Sequence, residues 1–504
     1  MNRASGLRGE TPAVRVSAPA GADDAERVYR RVNDATDDVP VARVGSTGVR
    51  EFEPLVLLTA NGETAYYPEC GASTAVELTN ALADGDFPAE DASAVVSHGA
   101  DTPTLPTPDE GPLSVGVRDV LGPCGWLNPL SPADAEFGFS DALDTVSEVG
   151  VLGRGRGDVA TDEPIATAWR DARDADGDAL VVVNANEADD RTRGDELLLE
   201  SAPLRVLAAA DAAATATDAT DVVVYVNEDA EHVEERVREA AQLAADDLDA
   251  PVQVVTGPDD FRAGEMTMAL EAMEGSDRIE ARKRPPYPTT QGLHGRPTVI
   301  HTPRTLAQVE RALREPEAFD PESADPGTRL VTVTGDVEHD ATVELPTSGS
   351  LADARDAVSL SGDYGFASVG GQFGGFARDL DVTPSAPALR AADLGTNGAL
   401  ELLDDDTCPV AEAGERARFA REENCGRCVP CREGSVQLVD LLRDVYDGRF
   451  DADGIRELAR VMRSSSTCDF GQTASRPVTT ALDEFGPAFR AHADGRCPTG
   501  TCNP

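Results

Sequence analysis

Lysine is almost missing from this sequence. Lys283 is the single lysine among 504 residues, and the other basic side chains are arginines. Against 44 basic residues stand 92 acidic ones, so the formal net charge at pH 7 is −48. Contacts to phosphates need clustered lysines and arginines, and the sequence has no such cluster. The composition therefore excludes DNA or RNA binding as a main role.

The acidic residues are spread along the whole chain instead of forming one tail. An acidic face for a basic partner would appear as a patch, and none is visible in the sequence. An even distribution of acidic residues is typical of a protein adapted to concentrated salt. At 1 M salt the Debye length falls to about 3 Å, so the repulsion between acidic side chains is screened. We therefore expect a halophilic protein.

Long apolar runs are also absent. No stretch approaches the roughly 18 apolar residues of a membrane helix, which argues against direct membrane insertion. The first residues lack the apolar segment of a signal peptide. Nine cysteines, an odd number in a long chain, fit a reducing cytoplasm better than a disulfide framework. We expect a cytoplasmic protein that is peripheral to a membrane only through partner subunits.

The apolar pattern predicts a multidomain α/β protein. The chain is long enough for about three or four domains, and short valine-rich runs at 181–183, 222–226 and 252–255 alternate with helical segments, which is typical of an α/β layer. After residue 410 the apolar residues recur at helical spacing. The segments are a flexible lead-in (1–37), a compact module of strands and one helix (38–98), a linker (99–113), an α/β domain (114–325), a small β-rich module (326–400), a helical domain (410–490) and a tail (491–504).

Three cysteines lie close together near the C-terminus. Cys425, Cys428 and Cys431 are separated by two residues each, and Cys468 follows downstream. This spacing lets one turn of chain bind three corners of an iron–sulfur cube while the distant cysteine binds the fourth. A zinc site more often has two separate C-x-x-C pairs. The spacing thus favours a [4Fe–4S] cluster and an electron carrier.

The surrounding residues resemble a known family. The segment NCGRCVPCREG at 424–434 is similar to E-S-C-G-x-C-x-P-C-R-E-G, and STCDFG at 466–471 is similar to T-x-C-x-L-G. Both motifs belong to the flavin-, NADH- and iron–sulfur-binding subunit of respiratory complex I, whose relatives are diaphorase subunits of hydrogenases and formate dehydrogenases. The chain resembles a divergent, haloarchaeal-like member. The resemblance implies a fold of four modules: a degenerate thioredoxin-like N-terminal module, an α/β flavin- and nucleotide-binding domain, a small β-grasp-like module, and a C-terminal helical bundle carrying the cluster.

The resemblance also implies an activity and its cofactors. Electrons would pass from NADH or NADPH through FMN to the [4Fe–4S] cluster and on to other redox subunits. No residue of the chain is assigned as catalytic, because the chemistry belongs to the cofactors. The cluster ligands would be Cys425, Cys428, Cys431 and Cys468.

Five further segments carry the implied nucleotide sites. They are GRGRGDV (153–159), VNANEAD (183–189), FRAGEMT (261–267), RPPYP (284–288) and PTVIHTPRT (297–305). The implied FMN residues are Gly153, Arg154, Gly155, Asn184, Asn186, Glu187, Gly264, Glu265 and Thr302. The implied NAD residues are Asp189, Arg284 and Tyr287, whose aromatic face would stack on adenine.

The same segments depart from the family pattern. Arg156 replaces a glycine, Ala168 replaces the lysine expected to neutralise a phosphate, and Met266 replaces a glutamate. His301 and Thr302 replace two asparagines, and we interpret His301 as structural. These changes leave an alternative open: a non-catalytic electron-transfer or docking subunit that keeps the cluster but has lost flavin and nucleotide binding. Arg154 or Arg156 would have to compensate for the missing lysine.

The N-terminal module departs further. GSTGVREFEP at 45–54 resembles the G-C-x-G-x-C-x-x-G-P loop of thioredoxin-like [2Fe–2S] domains, but Ser46 and Arg50 replace both cysteines. Neither side chain can replace a thiolate ligand, so we expect a docking module without a cluster. Cys124 is expected to be a buried structural thiol. Cys497 and Cys502 could bind metal or form a disulfide, but two ligands make no complete site, which favours a flexible end.

Overall fold

A computed structural model of the chain describes residues 12–18 and 22–502. It contains three β-sheets followed by a helical domain, in agreement with the predicted multidomain α/β class. The first sheet comprises β1 (Ala13–Ser17), β2 (Val41–Val44), β3 (Leu55–Ala60), β4 (Glu63–Tyr67) and β5 (Ala94–Ser97). Its strand order is β2-β1-β3-β4-β5. Helix α1 (Asp23–Ala35) joins the parallel pair β1 and β2, and α2 (Ala72–Ala83) follows the β3–β4 hairpin.

The flexible lead-in predicted for residues 1–37 is wrong for residues 13–17 and 23–35, which form β1 and α1. Strand β1 lies inside the first sheet between β2 and β3, and its valines Val14 and Val16 are fully buried. Helix α1 packs Val28 and Val32 into the same core. The sequence did not predict this strand because five residues are too few to show a clear alternation of apolar and polar side chains. The rest of the predicted lead-in, residues 1–11 and 19–21, lies outside the described residues.

The second sheet has four parallel strands in the order β8-β7-β6-β9. The valine-rich runs form its strands because branched side chains suit a sheet with helices on both faces. Its strands are β6 (Leu180–Ala185), β7 (Asp221–Asn227), β8 (Val252–Gly257) and β9 (Thr298–His301). The helices of this domain are α3 (Ala142–Val149), α4 (Ile165–Asp174), α5 (Gly194–Ser201), α6 (Pro203–Ala216), α7 (Glu231–Leu243), α8 (Met266–Met273), α9 (Pro288–Gln291) and α10 (Pro303–Arg314).

The third sheet has the order β11-β10-β14-β12-β13. Its strands are β10 (Thr328–Gly335), β11 (Ala341–Pro346), β12 (Tyr364–Val369), β13 (Gly375–Ala377) and β14 (Ala399–Asp404), and α11 (Ala386–Ala391) precedes β14. Strand β14 continues past residue 400, where the sequence predicted this module to end. The third sheet shares one hydrophobic core with the first, in which Leu55 and Leu57 pack with Val331 and Val343.

The C-terminal domain is helical, as predicted. It comprises α12 (Pro409–Glu423), α13 (Val429–Tyr446), α14 (Ala452–Ser465), α15 (Asp469–Thr473), α16 (Arg476–Glu484) and α17 (Gly486–Ala493). Leu438, Leu442 and Val445 form the buried stripe of α13, and Gly448 follows its end in a left-handed conformation. Within residues 12–18 and 22–502, no helix combines the length and apolar character needed to cross a bilayer.

Candidate redox site

Four cysteines converge on one pocket of the helical domain. Cys425 lies in the loop after α12, Cys428 is the N-cap of α13, and Cys431 lies in its first turn. Cys468 is the N-cap of α15. All four line a single small pocket whose other walls include Met268 and Phe470. The structure therefore brings together the predicted cluster ligands.

The spacing and surroundings of these thiols suit a cluster. Among the described residues, one group of three or more possible ligand atoms lies within 4.8 Å of one another, and it contains none of these four cysteines. No three of these cysteines thus meet closely enough to bind a single ion, whereas a cube spreads its ligands over four corners. Burial raises the pKa of Cys431 to about 12 and also raises that of Cys468. A bound cationic centre is what stabilises thiolates in such apolar surroundings.

A second, larger cavity of about 280 Å³ adjoins the cysteine pocket. Its walls come from the glycine-rich loop, the third sheet and helices α15 and α16. Phe470 lines both the cavity and the cysteine pocket, and its ring lies edge-on to Phe373 at 4.9 Å. Phe261 joins the same aromatic group, with its ring centroid 5.6 Å from that of Phe373. An aromatic wall therefore separates the two spaces.

Arg156 faces this cavity. Its guanidinium lies over the Phe261 ring at 3.8 Å and donates a short hydrogen bond to the Phe261 carbonyl oxygen. Its backbone N–H donates to Asn397 Oδ1 at 3.2 Å. Burial lowers the pKa of Arg156, although the carboxylates of Asp189 and Glu265 lie nearby. Within residues 12–18 and 22–502, Arg156 has no acidic partner within 4.0 Å, so its charge is available to an anion in the cavity.

Arg154 differs from Arg156 despite its place in the same loop. Its Nη1 donates to Asp325 Oδ1 at 2.6 Å, and its Nη2 donates to the Pro326 carbonyl oxygen at 3.1 Å. Both side chains of this ion pair are at most 4% exposed. The Arg154 side chain is therefore committed to the protein interior and does not line the cavity.

The predicted flavin residues Asn184 and Asn186 lie at the end of β6. Asn184 Nδ2 donates to the carbonyl oxygens of Gly157 and Gly264, each at 3.1 Å. It thereby holds the glycine-rich loop against the segment before α8. Asn186 Nδ2 donates to Tyr225 Oη at 3.2 Å, whereas its Oδ1 is buried without a partner. A buried acceptor without a donor is a strong place for a ligand to bind.

Other predicted flavin residues build the frame of the site. Glu187 accepts hydrogen bonds from three backbone N–H groups at the start of α5, at 2.9 to 3.1 Å. Glu265 is the N-cap of α8 and accepts from Thr267 N at 2.9 Å and Met268 N at 3.0 Å. Burial raises the pKa of Glu265. Thr302 is the N-cap of α10 and donates to the Arg154 carbonyl oxygen at 2.7 Å.

The glycines permit the close packing of these loops. A side chain at Gly153 would place its Cβ 2.4 Å from the Ala160 carbonyl oxygen, and one at Gly264 would meet the Asn186 carbonyl oxygen at 2.6 Å. Gly155 has φ +80°, which favours glycine.

The predicted NAD residues are not all at the cavity. Asp189 lines it and accepts from the Gln372 backbone N–H at 2.9 Å. Arg284 instead donates to the Thr467 carbonyl oxygen at 3.3 Å, next to Cys468. Tyr287 is 55% exposed at the surface. Neither Arg284 nor Tyr287 belongs to the cavity wall.

His301 is part of a buried chain of hydrogen bonds. Trp169 Nε1 donates to His301 Nε2 at 2.8 Å, and His301 Nδ1 lies 2.9 Å from Asp158 Oδ2. Because Trp169 can only donate, the His301 proton is on Nδ1 and points to Asp158. Asp158 also accepts from Thr305 Oγ1 at 2.7 Å. His301 thereby links Trp169 to the glycine-rich loop and is fully buried, which supports its interpretation as structural.

Sequence reasoning missed the aromatic wall and two cationic residues. Phe261, Phe373 and Phe470 come from three separate segments, and Arg390 and Arg476 also line the cavity. The one available signal was Phe470, which stands where the family motif has leucine.

The N-terminal module and helices α5 and α7 of the flavin domain line another cavity, of about 370 Å³. It is lined by Ser46 and Arg50, the residues that replace the two cysteines of the [2Fe–2S] loop, and by Glu53. The Ser46 hydroxyl forms a short hydrogen bond with the Glu53 carboxyl group, and Gly48 N donates to Ser46 Oγ at 3.1 Å. Cys124 is fully buried, as predicted.

Comparison with known proteins identifies the two halves of this redox site. Residues 146–311 match the Nuo51 FMN-binding domain, and residues 411–492 match the iron–sulfur binding region of NADH-ubiquinone oxidoreductase-F. The first range holds the glycine-rich loop and the parallel sheet, and the second holds all four cluster cysteines.

Several relatives align over most of the chain. The NADP-reducing hydrogenase subunit HndC of Solidesulfovibrio fructosivorans is 26% identical, with 79% of this chain and 87% of the relative covered. The NAD-reducing hydrogenase HoxS subunit alpha of Cupriavidus necator is 28% identical, with 73% and 62% covered. The fold resembles that of an NAD⁺-reducing [NiFe]-hydrogenase crystal structure at a TM-score of 0.63 and 24% identity, with 96% of this chain and 86% of that chain covered.

The F subunit of the Streptomyces coelicolor NADH-quinone oxidoreductase is 30% identical over 388 residues, which cover 71% of this chain and 84% of the relative. The chain belongs to the family of the FMN-binding 51 kDa subunit of complex I, which includes the diaphorase subunits of NAD-reducing hydrogenases.

Proposed function

We infer that the chain oxidises NADH with bound FMN and passes the electrons to a [4Fe–4S] cluster, and we propose that a partner redox subunit receives them. The observation that carries this function is the shared wall at Phe470. Phe470 lines both the cavity beside the flavin motifs and the four-cysteine pocket. Electron donor and acceptor sites are therefore neighbours, as an electron-entry subunit requires.

The residues present fit FMN. The cavity of about 280 Å³ is just below the roughly 300–1,000 Å³ typical of ligand sites, and a smaller cavity adjoins it. It offers the guanidinium of Arg156, and Asn186 Oδ1, a buried acceptor that needs a donor, lies in the wall of the adjoining small cavity. FMN, when bound, accepts a hydride from a nicotinamide and releases electrons singly. The chain's own part is to bind, orient and exclude water.

We propose that Arg156 binds the anionic part of FMN. The family lysine that would neutralise a phosphate is Ala168 here, which is buried in the core of the flavin domain. Arg154 cannot replace it, since its guanidinium pairs with Asp325. Arg156 is fixed over Phe261 with its charge facing the cavity, so it costs little further side-chain entropy to bind an anion.

For the remaining site residues we propose supporting roles. Asn184 and Glu187 hold the loops that surround the flavin, and Glu265 and Asp189 supply carboxylates at the cavity where the nicotinamide nucleotide enters. Tyr287 is exposed and free to stack on adenine. Cys425, Cys428, Cys431 and Cys468 hold the cluster, and the apolar ring of Phe470 keeps water from it.

The finer features of the modules support the same proposal. The order β2-β1-β3-β4 with a helix after the hairpin is consistent with a thioredoxin-like module. The order β11-β10-β14-β12, with β10 parallel to β14, is consistent with a β-grasp-like module. We propose that the first module docks partner subunits of a complex I or hydrogenase type. We also propose that the protein works in the cytoplasm of a halophile.

The first experiment is anaerobic purification in high salt, followed by visible spectra before and after addition of NADH. Flavin absorbance that bleaches with NADH, together with iron–sulfur absorbance, is the expected result. An iron–sulfur spectrum without flavin and without response to NADH would support the alternative, an electron-transfer or docking subunit. Cys468→Ser should lose the iron–sulfur absorbance while keeping flavin.

The role of Arg156 is tested by Arg156→Gln. We expect a loss of FMN affinity of about 10- to 100-fold, because a charge-assisted hydrogen bond is worth about 1.5–3 kcal/mol. The control is Arg355→Gln, since Arg355 also lies over an aromatic ring, Tyr364 at 4.2 Å, but does not line the cavity. Unchanged FMN affinity in Arg156→Gln, measured by flavin fluorescence, would remove Arg156 from the site.

A further inference from the structure

The helical domain contains a second group of metal-binding side chains, separate from the four-cysteine pocket. The ligand atoms of Cys408, His492, Cys497 and Cys502 all lie within 4.8 Å of one another. Cys408 is the N-cap of α12, His492 lies in α17, and the other two cysteines follow in the C-terminal segment. None of the four lines the pocket of the proposed [4Fe–4S] cluster.

We propose that these four residues form a structural zinc site. Three cysteines and one histidine are a common ligand set of structural Zn²⁺, which binds them tetrahedrally. With Zn–S distances of about 2.3 Å, tetrahedral geometry places the sulfur atoms about 3.8 Å apart. The observed ligand atoms are at most 4.8 Å apart, and Cys408 Sγ is already 3.4 Å from His492 Nε2. Small side-chain rotations suffice to close the group around one ion.

The histidine is oriented for this role. His492 Nδ1 lies 2.8 Å from the Ala488 carbonyl oxygen, one turn earlier in α17. A carbonyl oxygen only accepts, so the His492 proton is on Nδ1 and the Nε2 lone pair faces the three sulfur atoms. Metal-binding histidines usually donate their second ring N–H in this way. The Tyr446 ring packs against His492 at 5.2 Å and holds its plane.

The surroundings suit a closed, structural site. Cys408 is 4% exposed and His492 is 3% exposed, and both cysteines of the C-terminal segment pack against the core of the helical domain. A disulfide between Cys497 and Cys502 would leave Cys408 and His492 without a role. A zinc ion uses all four.

The site would fasten three parts of the chain together. Cys408 marks the junction between the third sheet and the helical domain, His492 belongs to the last helix, and Cys497 and Cys502 belong to the segment after it. Zinc would thus fix the C-terminal segment to this junction through residues that take no part in the cysteine pocket.

The test is metal analysis of the whole protein purified anaerobically without chelator. We expect about one zinc in addition to about four iron atoms per chain. Cys497→Ser and Cys502→Ser should each lower zinc toward zero and leave iron and the cluster absorbance unchanged. The matched control is Cys70→Ser, a buried cysteine of the first module, which should keep both metals. Retained cluster absorbance also shows that each variant is folded.

Two further measurements separate this site from the cluster. The double variant Cys425→Ser/Cys428→Ser should lose iron and keep zinc, which excludes zinc misplaced in the cluster pocket. Zinc X-ray absorption of the wild type should show three sulfur ligands and one nitrogen. The proposal is overturned if the wild type contains no zinc, if zinc disappears with Cys425 and Cys428, or if mass spectrometry of unreduced protein finds a Cys497–Cys502 disulfide.

Discussion

Arg154 and Arg156 are two positions apart in the glycine-rich loop, but their guanidinium groups lie in different surroundings. Arg154 is paired with the fully buried Asp325, whereas Arg156 lies over an aromatic ring at the edge of a cavity. Removing one partner of a buried pair leaves an uncompensated charge, while removing a charge that faces a cavity mainly affects ligands. Position in a motif therefore does not decide the role of either residue.

We expect Arg154→Gln to destabilise the flavin-free protein by about 1.5–3 kcal/mol, because it removes a charge-assisted hydrogen bond to the buried Asp325, which keeps its ion pair with Arg329. Arg156→Gln should change the same free energy of unfolding by less than about 1 kcal/mol. Urea unfolding of both variants without flavin checks this contrast. Equal destabilisation by the two changes would contradict the division of roles.

Glu53 gives the N-terminal module a pH-dependent stability. Burial raises its pKa from 4.5 to about 7, although the hydrogen bond to Ser46 opposes this shift. The folded protein therefore holds a proton on Glu53 that the unfolded chain has released between pH 4.5 and 7. Stability contributed by the protonated carboxyl is complete below pH 4.5 and is lost as the pH rises to about 7.

Glu53→Gln should remove this dependence. Glutamine resembles the protonated acid, so the variant should equal the wild type near pH 4.5 and exceed its stability at pH 8 by about 1–3 kcal/mol, since one pKa unit is worth about 1.4 kcal/mol. The measurement is the thermal midpoint of both proteins across this range. Glu63→Gln, an exposed change in the same sheet, is the control and should show no such crossover. A constant difference between Glu53→Gln and wild type would refute the shift.

At the scale of elements, the helices of the C-terminal domain pack closely enough to require glycine at one crossing. Gly434 in α13 faces Met462 of α14, where an added Cβ would lie 2.6 Å from the Met462 Cγ. Gly414 in α12 has nothing within 4 Å of the same position. The two glycines therefore differ only in packing, since both lie inside helices.

We expect Gly434→Ala to destabilise the helical domain by about 1–3 kcal/mol through overpacking. Gly414→Ala should instead stabilise it by about 0.5–1 kcal/mol, because alanine is the better helix former. Helix content followed by circular dichroism during thermal unfolding checks both values. The same sign of change in both variants would show that Met462 adapts to the added methyl group.

Some strands could be predicted from the sequence and others could not. Valine-rich runs predicted β6, β7 and β8, because a buried parallel strand needs apolar residues on both faces. Strand β1 was missed because its place between β2 and β3 is set by tertiary pairing.

Among the candidate sites, likewise, some residues could be predicted from the sequence and others could not. The cluster cysteines were predictable, since three of them are neighbours in sequence and share one turn of chain. The proposed zinc ligands were not, because 84 residues separate Cys408 from His492. The aromatic wall of Phe261, Phe373 and Phe470 likewise comes from three separate segments, and only Phe470 stood out, as a departure from the family motif. Contacts made only by the fold cannot be read from spacing.

The modules of the protein are joined by shared cores and buried polar contacts. The first and third sheets pack in one hydrophobic core. Glu344 of β11 accepts hydrogen bonds from Leu121 N at 2.9 Å and Val120 N at 3.0 Å, in the segment between the first sheet and the flavin domain. The redox site lies between the flavin domain, the third sheet and the helical domain, and all three line its cavity. Cofactor binding should therefore stabilise several modules together.

The net charge of −48 predicts that the stability of the protein depends on salt. Many ion pairs hold exposed arginines, such as Arg460 with Glu457, but acidic residues outnumber basic ones twofold. Self-repulsion destabilises a compact chain of this charge at low ionic strength, and salt screens it. We expect KCl raised from 0.1 to 2 M to stabilise the protein by about 2 kcal/mol or more, which is roughly 2 °C in thermal midpoint for a chain of 504 residues. The increase should shrink as the pH approaches the sequence pI of about 4.3, where the net charge vanishes. A thermal midpoint that does not change with salt at pH 7 would show that charge repulsion does not limit the stability of this protein. An equal rise with salt at pH 7 and near the pI would show the same.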